Sequence, residues 1–266
     1  MSDIKENAIG GYIMSKSRVN FDVNADKYSK WSVTTNKNYL DQFYDFAEIL
    51  PNDTIIDFAC GSGDFLINCA DRVGKSKGID YSGILIKIAN SYIAANGIHH
   101  ISFEEGDIEM AFETPAELYD VILCRMALHH FGDTSLAFAN CMQYGKRVCK
   151  VAMQDIVSHG IRKVDLYFDR LERLIDRTHK EIISKSQFEN LFMDNNVKIR
   201  NSIILEREIV LKEYMLHANQ TDEEKEQLKI LVSEGLDDPS ICSYIYRKNN
   251  EVVFKRKVQL ISGSTT

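Results

Sequence analysis

The run Ile55-Ile56-Asp57-Phe58-Ala59-Cys60-Gly61-Ser62-Gly63 constrains this chain more than any other feature. A short apolar stretch enters two closely spaced glycines and leaves into a segment of helical periodicity. Glycine at such a turn lets the backbone bend sharply and lets a ligand approach the main chain, as at the first strand of a nucleoside-binding βαβ unit. The same alternation continues downstream. Strands are expected at 54–59, 77–80, 100–104, 121–124 and 148–156, with helical stretches between them, among them 83–96. Strands separated by helices predict a mostly parallel sheet with helices on its faces and right-handed crossovers.

Before the first strand, apolar residues recur at helical spacing over 21–32 and 36–50, where Tyr39, Leu40, Phe43, Phe46, Ala47 and Leu50 fall on one face. Pro51-Asn52-Asp53 ends the second helix. Past Asp155 the pattern predicts amphipathic helices at 161–177 and 184–194, the latter capped by Ser184, and a long strand at 197–208. Helices at 210–218 and 221–236 follow, the second opening on the box Thr221/Glu224, and a strand at 251–261 closes the chain. The expectation is an α/β fold with a Rossmann-like, mostly parallel seven-stranded sheet. Its parts are a helical N-terminal lid (1–50), a cofactor-binding core (51–157), and the remaining strands with a helical substrate cap (158–266), in a single domain overall.

Composition narrows the partners. A net charge of -7 over 266 residues opposes nucleic acid as the main ligand, which requires a basic face. No run approaches the ~20 apolar residues of a membrane span. The polar, acidic start Met1 to Asn7 does not read as a signal peptide. The six cysteines form no CxxC pair and several sit in apolar runs, as free thiols do in a reducing compartment, so a cytoplasmic protein without a zinc site is expected. The histidines lack metal-ligand spacing, and no metal is expected. The oligomeric state is left open, a homodimer included.

The chemistry lies at the strand ends. Asp57 sits four residues before Gly61, and position 66, where a dinucleotide fingerprint would carry its third glycine, is Leu66. A carboxylate there repels a pyrophosphate and suits a ligand bearing an ammonium and a sulfonium. Asp80 ends the second strand, 17 residues beyond Gly63, the place from which a carboxylate accepts from ribose hydroxyls. Asp107 follows the third strand and can accept from an adenine amine, with Ile84 and Ile108 flanking the ring. Taken singly, Asp80 or Asp107 is more often a turn or cap residue, and Asp57 alone reads equally as a helix-terminus carboxylate. Three of them at successive strand ends converge on one crevice.

On these residues the chain resembles the class I methyltransferases that use S-adenosylmethionine. Asp57, Gly61 and Gly63 match the first family motif, with Ala59 in place of a commoner glycine; Asp80 matches the ribose-binding acid and Asp107-Ile108 the adenine pair. More narrowly, Cys124-Arg125-Met126-Ala127-Leu128-His129-His130-Phe131 is similar to the hallmark of the UbiE-like and YcgJ-like small-molecule group (methyltransferase type 11). Tyr144-Gly145-Lys146-Arg147 departs from the usual Lys-Pro-Gly-Gly turn. The resemblance implies an antiparallel last strand, S-adenosyl-L-methionine as cofactor (product S-adenosyl-L-homocysteine), and cofactor contacts from Asp57, Ala59, Gly61, Gly63, Asp80, Tyr81, Ile84, Asp107, Ile108 and Cys124. Tyr28 is added as a cofactor contact from the lid, where Trp31 also lies.

Methyl transfer from a sulfonium is an in-line displacement in which the protein mainly aligns the reacting atoms. An acceptor that must lose a proton also needs a base, for which histidine is tuned. His130 is the expected base, with Arg125 and Asp155 beside it at strand ends. On a helix His129 and His130 would point about 100° apart, so His129 is assigned to the substrate side or to packing. Arg125 is read either as an anion-binding residue or as the partner of Asp155. Arg177, His179 and Tyr214 (with Met215 and His217) are expected on the substrate side, although a solvated helix end or ordinary packing explains such residues equally simply. The expected function is methylation of a small-molecule acceptor on oxygen, nitrogen or carbon. The alternative is a protein that binds S-adenosylmethionine or S-adenosylhomocysteine without transferring methyl. An NAD oxidoreductase and an RNA or protein methyltransferase are weaker readings.

Overall fold

A computed structural model describes residues 36–110, 115, 117–218 and 220–266. Helix α1 (Lys37–Phe46) starts where the Asn36 side chain accepts from the backbone amides of Asn38 and Tyr39. Strands β1 (Ile55–Phe58), β2 (Ser76–Asp80), β3 (Ile101–Glu105), β4 (Tyr119–Arg125) and β5 (Gly145–Ile156) alternate with α2 (Asp64–Asn68), α3 (Gly83–Ala95) and α4 (Thr134–Met142). There follow α5 (Arg162–Ile175), α6 (Lys185–Asp194), β6 (Lys198–Val210), α7 (Leu211–Tyr214), α8 (Asp222–Asp237), β7 (Ile245–Lys248) and β8 (Glu251–Ser264).

The sheet runs β3-β2-β1-β4-β5-β8-β6. β1 to β5 pair in parallel, and β8 inserts antiparallel between β5 and β6. This is the expected mostly parallel sheet with an antiparallel last strand. β1 is buried at every position, as a central strand covered on both faces must be. On one face Leu40 and Phe43 of α1, Phe65 and Leu66 of α2, and Ile86, Ala89 and Ile93 of α3 pack on Ile55, Val121, Leu123 and Ala152. On the other, Phe138 of α4 and Phe188, Leu191 and Phe192 of α6 pack on Ile56, Ile122 and Met153. A third cluster joins α5, α7 and α8 to Ile209, Ile245 and Phe254. Burying two sheet faces and a cap supplies the apolar area that a chain of this size needs.

Three local expectations change. An eighth strand, β7, pairs antiparallel with β8 through Asn249-Asn250, both at positive φ (51° and 64°), the backbone of a tight two-residue hairpin turn. The helix expected over 210–218 shrinks to α7 and a 3₁₀ turn (Met215–His217), because β6 keeps its ladder as far as Val210 opposite Val253. After the glycine turn only Asp64–Asn68 is α-helical. Among the described residues no helix is long and apolar enough to cross a membrane. The six cysteines are free, with Cys69, Cys124, Cys141 and Cys149 buried.

Candidate functional site

Three residues of the first loop adopt left-handed backbone: Ala59 (φ 52°), Gly61 (φ 58°) and Gly63 (φ 77°). The coil this produces turns the Gly61 amide onto the Asp80 carboxylate at 2.8 Å. Gly63 is fixed by packing as well, since a Cβ there would lie 2.4 Å from the Phe103 ring. Ala59 is the costly member, because L-residues lose about 1–2 kcal/mol in this conformation.

Asp80 is buried, and its other oxygen accepts from the Ser82 amide at 2.9 Å while Ser82 caps α3. One carboxylate thereby joins the β1 loop to the start of α3. Asp107 makes a similar local turn, accepting from the Glu109 amide at 3.0 Å. Buried Asn140 of α4 supports that loop by donating to the carbonyls of Ile108 (2.7 Å) and Met110 (3.1 Å). Glu109 accepts from the amides of Gly132 (2.6 Å) and Asp133 (2.9 Å) and closes the far rim. Between these walls lies a cleft of about 960 Å³, its open mouth included, at the carboxyl ends of β1, β2 and β4. Ligands of open α/β sheets bind at this edge.

Asp57 stands behind the loop, 3% exposed. Burial pushes its pKa up to about 7, with the nearby Arg125 guanidinium opposing and Asp80 adding to the rise. Arg125 does not pair with Asp155. It is registered opposite Gln154, so Asp155, one residue on, points to the other face of the sheet.

There Asp155, fully buried, organises the turn after β4. One oxygen accepts from the amides of Ala127 (2.8 Å) and Leu128 (2.5 Å), the other from Ile156 N (2.6 Å) and His129 Nδ1 (2.5 Å). Burial alone would lower the His129 pKa, but the Asp155 carboxylate outweighs it and holds the imidazole above its usual value. Burial would likewise raise Asp155, and His129 brings it below the ordinary carboxylate range. Residues Leu128–His130 form a 3₁₀ turn rather than an α-helix, and the two histidine rings touch, with centroids 4.0 Å apart. His130 reaches the cleft. Thr178 Oγ1 donates to Asp176 at 2.5 Å, so His130 Nδ1, 2.9 Å from Oγ1, is the donor and Nε2 the acceptor nitrogen. Burial and the His129 charge push the His130 pKa down to about 3.

A methyltransferase-domain family profile matches residues 49–230, which contain every element of this cleft. The chain belongs to that family. It is a class I S-adenosylmethionine-dependent methyltransferase. It is 21% identical over 245 residues to the uncharacterised methyltransferase YcgJ of Bacillus subtilis, spanning 91% of this chain and 96% of that protein. The YcgJ crystal structure superimposes with a TM-score of 0.77, covering 85% of this chain and 97% of YcgJ at 20% identity. A putative methyltransferase from Bacillus halodurans gives 0.76, with 85% and 99% covered at 20% identity. A geranyl diphosphate C-methyltransferase from Streptomyces coelicolor, crystallised with S-adenosyl-L-homocysteine, gives 0.59, with 87% and 81% covered at 13% identity. At these identities the solved structures speak for the shared fold.

Within the methyltransferase cleft the expected residues divide. Ala59, Gly61, Asp80, Tyr81, Asp107, Ile108 and His130 line it. Asp57 and Gly63 shape the loop from behind. Cys124 is packed in the core, and Ile84 is 42% exposed while its neighbour Leu85 faces the cleft. Tyr28 and Trp31 lie outside the described residues. On the cap side, Arg177 is held by Glu224 of α8, His179 Nε2 is 3.0 Å from Asp169, and the Tyr214 hydroxyl donates to Glu172. None of these three lines the cleft. Sequence reasoning missed Glu109, Met126, Phe131 and Lys180 in the wall. Met126 and Phe131 belong to the quoted hallmark, so that signal was present. Lys180 is held there by a hydrogen bond from its backbone amide to the His129 carbonyl (2.8 Å), a contact no local pattern announces.

Proposed function

We propose that this chain transfers the S-adenosylmethionine methyl group to a small-molecule acceptor, with the cofactor seated in the cleft between Gly61 and Asp107. The supporting observation is the donor set. Three carboxylates, Asp80, Asp107 and Glu109, and an apolar wall of Ile79, Leu85 and Ile108 surround a main-chain turn, and Lys180 is the sole lysine or arginine among the described lining residues. Hydroxyl-rich, cationic nucleosides fit such a wall, whereas a pyrophosphate would meet carboxylates. Asp80 would take the ribose hydroxyls, Asp107 the adenine amine with Ile108 and Leu85 against the ring, and Asp57 would answer the ligand's positive charges. Ala59, Gly61, Tyr81 and the loop shaped by Gly63 would line its path. When bound, this cofactor supplies a methyl group made electrophilic by its sulfonium.

The remaining work belongs to the chain. His130, at the cleft wall, is the histidine placed to accept a proton from the acceptor. Its depressed pKa keeps the imidazole neutral at physiological pH and makes it a weaker base than one tuned near the operating pH. Asp155 acts through His129, whose ring backs His130 and fixes it. The segment 158–266 serves as a cap on this core. Calorimetric titration with S-adenosylhomocysteine and with NAD is the test. Binding of the first alone, weakened at least tenfold by Asp80→Ala, is expected; equal affinity in the variant, or binding of NAD instead, refutes the assignment.

A further inference from the structure

On the sheet face that carries α1, a row of polar side chains stands beyond the apolar core. Arg125 of β4 is registered opposite Gln154 of β5, and Gln154 opposite Leu260 of β8. Two steps of two along β8 reach Arg256, which is opposite Arg207 of β6. Ladder partners, and residues two apart, share a face. Three guanidinium groups therefore project from one wall. Arg256 forms a buried ion pair with Glu172 at 2.5 Å, and Arg125 faces Asp57.

Arg207 differs. It is 6% exposed, its guanidinium lies 3.7 Å from the Tyr39 ring centroid, and Nη2 donates to Gln42 Oε1 at 3.2 Å. Among the described residues no carboxylate lies within ion-pair distance of it, and its buried Nη1 makes no hydrogen bond. Burial lowers its pKa to about 10, and the charges of Arg125 and Arg256 act in the same direction. Gln154 is fully buried, and among the described residues neither its amide nitrogen nor its side-chain oxygen has a hydrogen-bond partner. More than nine in ten buried polar groups are satisfied in native proteins, so such orphans on one face require a reason. The Gln154 carbonyl accepts from the amide of Met126 (2.7 Å), a cleft residue, so the β5 main chain beneath the row is tied to the cleft wall.

Packing does not supply the reason, because a buried cation without a counter-charge destabilises the fold. A guanidinium stacked on an aromatic ring and steadied by Gln42 is instead a pre-oriented fork, matched to a planar carboxylate. We propose that Arg207, assisted by Gln154, binds a carboxylate of the methyl acceptor, which makes the substrate a small organic acid. This inference rests on the methyltransferase reading above.

The test uses the full chain saturated with S-adenosylhomocysteine and titrated with benzoate and octanoate against benzamide and octanamide. At least one acid is expected to bind tenfold or more tightly than its amide. Arg207→Met should erase that preference, leave S-adenosylhomocysteine affinity within twofold, and leave the melting temperature of the free protein unchanged or raised. Arg207→Lys should retain part of the preference. Equal binding of acids and amides overturns the proposal, as does a variant that melts lower while keeping the preference. A loss of S-adenosylhomocysteine affinity in Arg207→Met would assign the arginine to the cofactor's own carboxylate and overturn it too. Failure of the parent chain to bind S-adenosylhomocysteine at all would bring down the methyltransferase reading itself.

Discussion

Replacing Asp57 by asparagine should make the free protein more stable while weakening its hold on the cofactor. Asp57 is buried with its pKa raised from 3.8 to about 7, so between those values the folded state binds a proton that the unfolded state has released. Stability therefore falls as pH rises through that window. At pH 7 the deficit is about 4 kcal/mol, from about 1.4 kcal/mol for each tenfold change in proton affinity. The asparagine of Asp57→Asn imitates the protonated carboxyl and should recover about 2–4 kcal/mol, less than the whole because its amide needs partners of its own. For a chain of this size that is a rise in melting temperature of about 5–10 °C. The assay is urea denaturation of both proteins from pH 4 to pH 8, with S-adenosylhomocysteine titrations alongside. The parent should lose more stability across this range than the variant, the difference being the Asp57 contribution, while the variant binds at least tenfold more weakly. A variant that melts lower, or that keeps the parental pH slope, would refute the view of Asp57 as a strained carboxylate held for a cationic ligand.

The left-handed Ala59 predicts that Ala59→Gly gains about 0.5–1 kcal/mol, the relief of strain less the extra freedom of unfolded glycine, read from the urea midpoint. Asp155→Asn should cost about 3 kcal/mol, because the carboxylate gathers three backbone amides and His129. The lowered Asp155 pKa contributes stability above pH 3.8 and loses it as pH falls through the folded value. The raised His129 pKa contributes below 6.5 and loses it as pH rises through the folded value. The gap between parent and Asp155→Asn, measured by denaturation, should thus be wider at pH 5 than at pH 8.5. Glu172→Ala should cost about 3–5 kcal/mol by stranding Arg256, and the double variant Glu172→Ala/Arg256→Met should lose less than the sum of the single changes in a double-mutant cycle.

Much of the frame was legible because strand, turn and helix carry local signatures. The β1 glycine turn, the strand-end acids Asp80 and Asp107, the cap at Ser184 and the capping box at Thr221/Glu224 all lie within one element or its ends. β7 was missed although Asn249-Asn250 is a hairpin signal, since the strand before it is only four residues long.

What the sequence determined by itself is the order of strands and helices and the acids that fall at their ends. Periodicity and turn chemistry act over a few residues, so they are written locally. Tertiary structure decided which charges meet. The parity of the β4–β5 register sent Arg125 to Asp57 and Asp155 to His129, on opposite faces of one sheet. The insertion of β8 between β5 and β6 set Arg207 opposite Arg256, with Tyr39 and Gln42 against it from α1. A pairing of residues more than a hundred positions apart depends on strand order and register, and those are settled by burying both faces of the sheet at once.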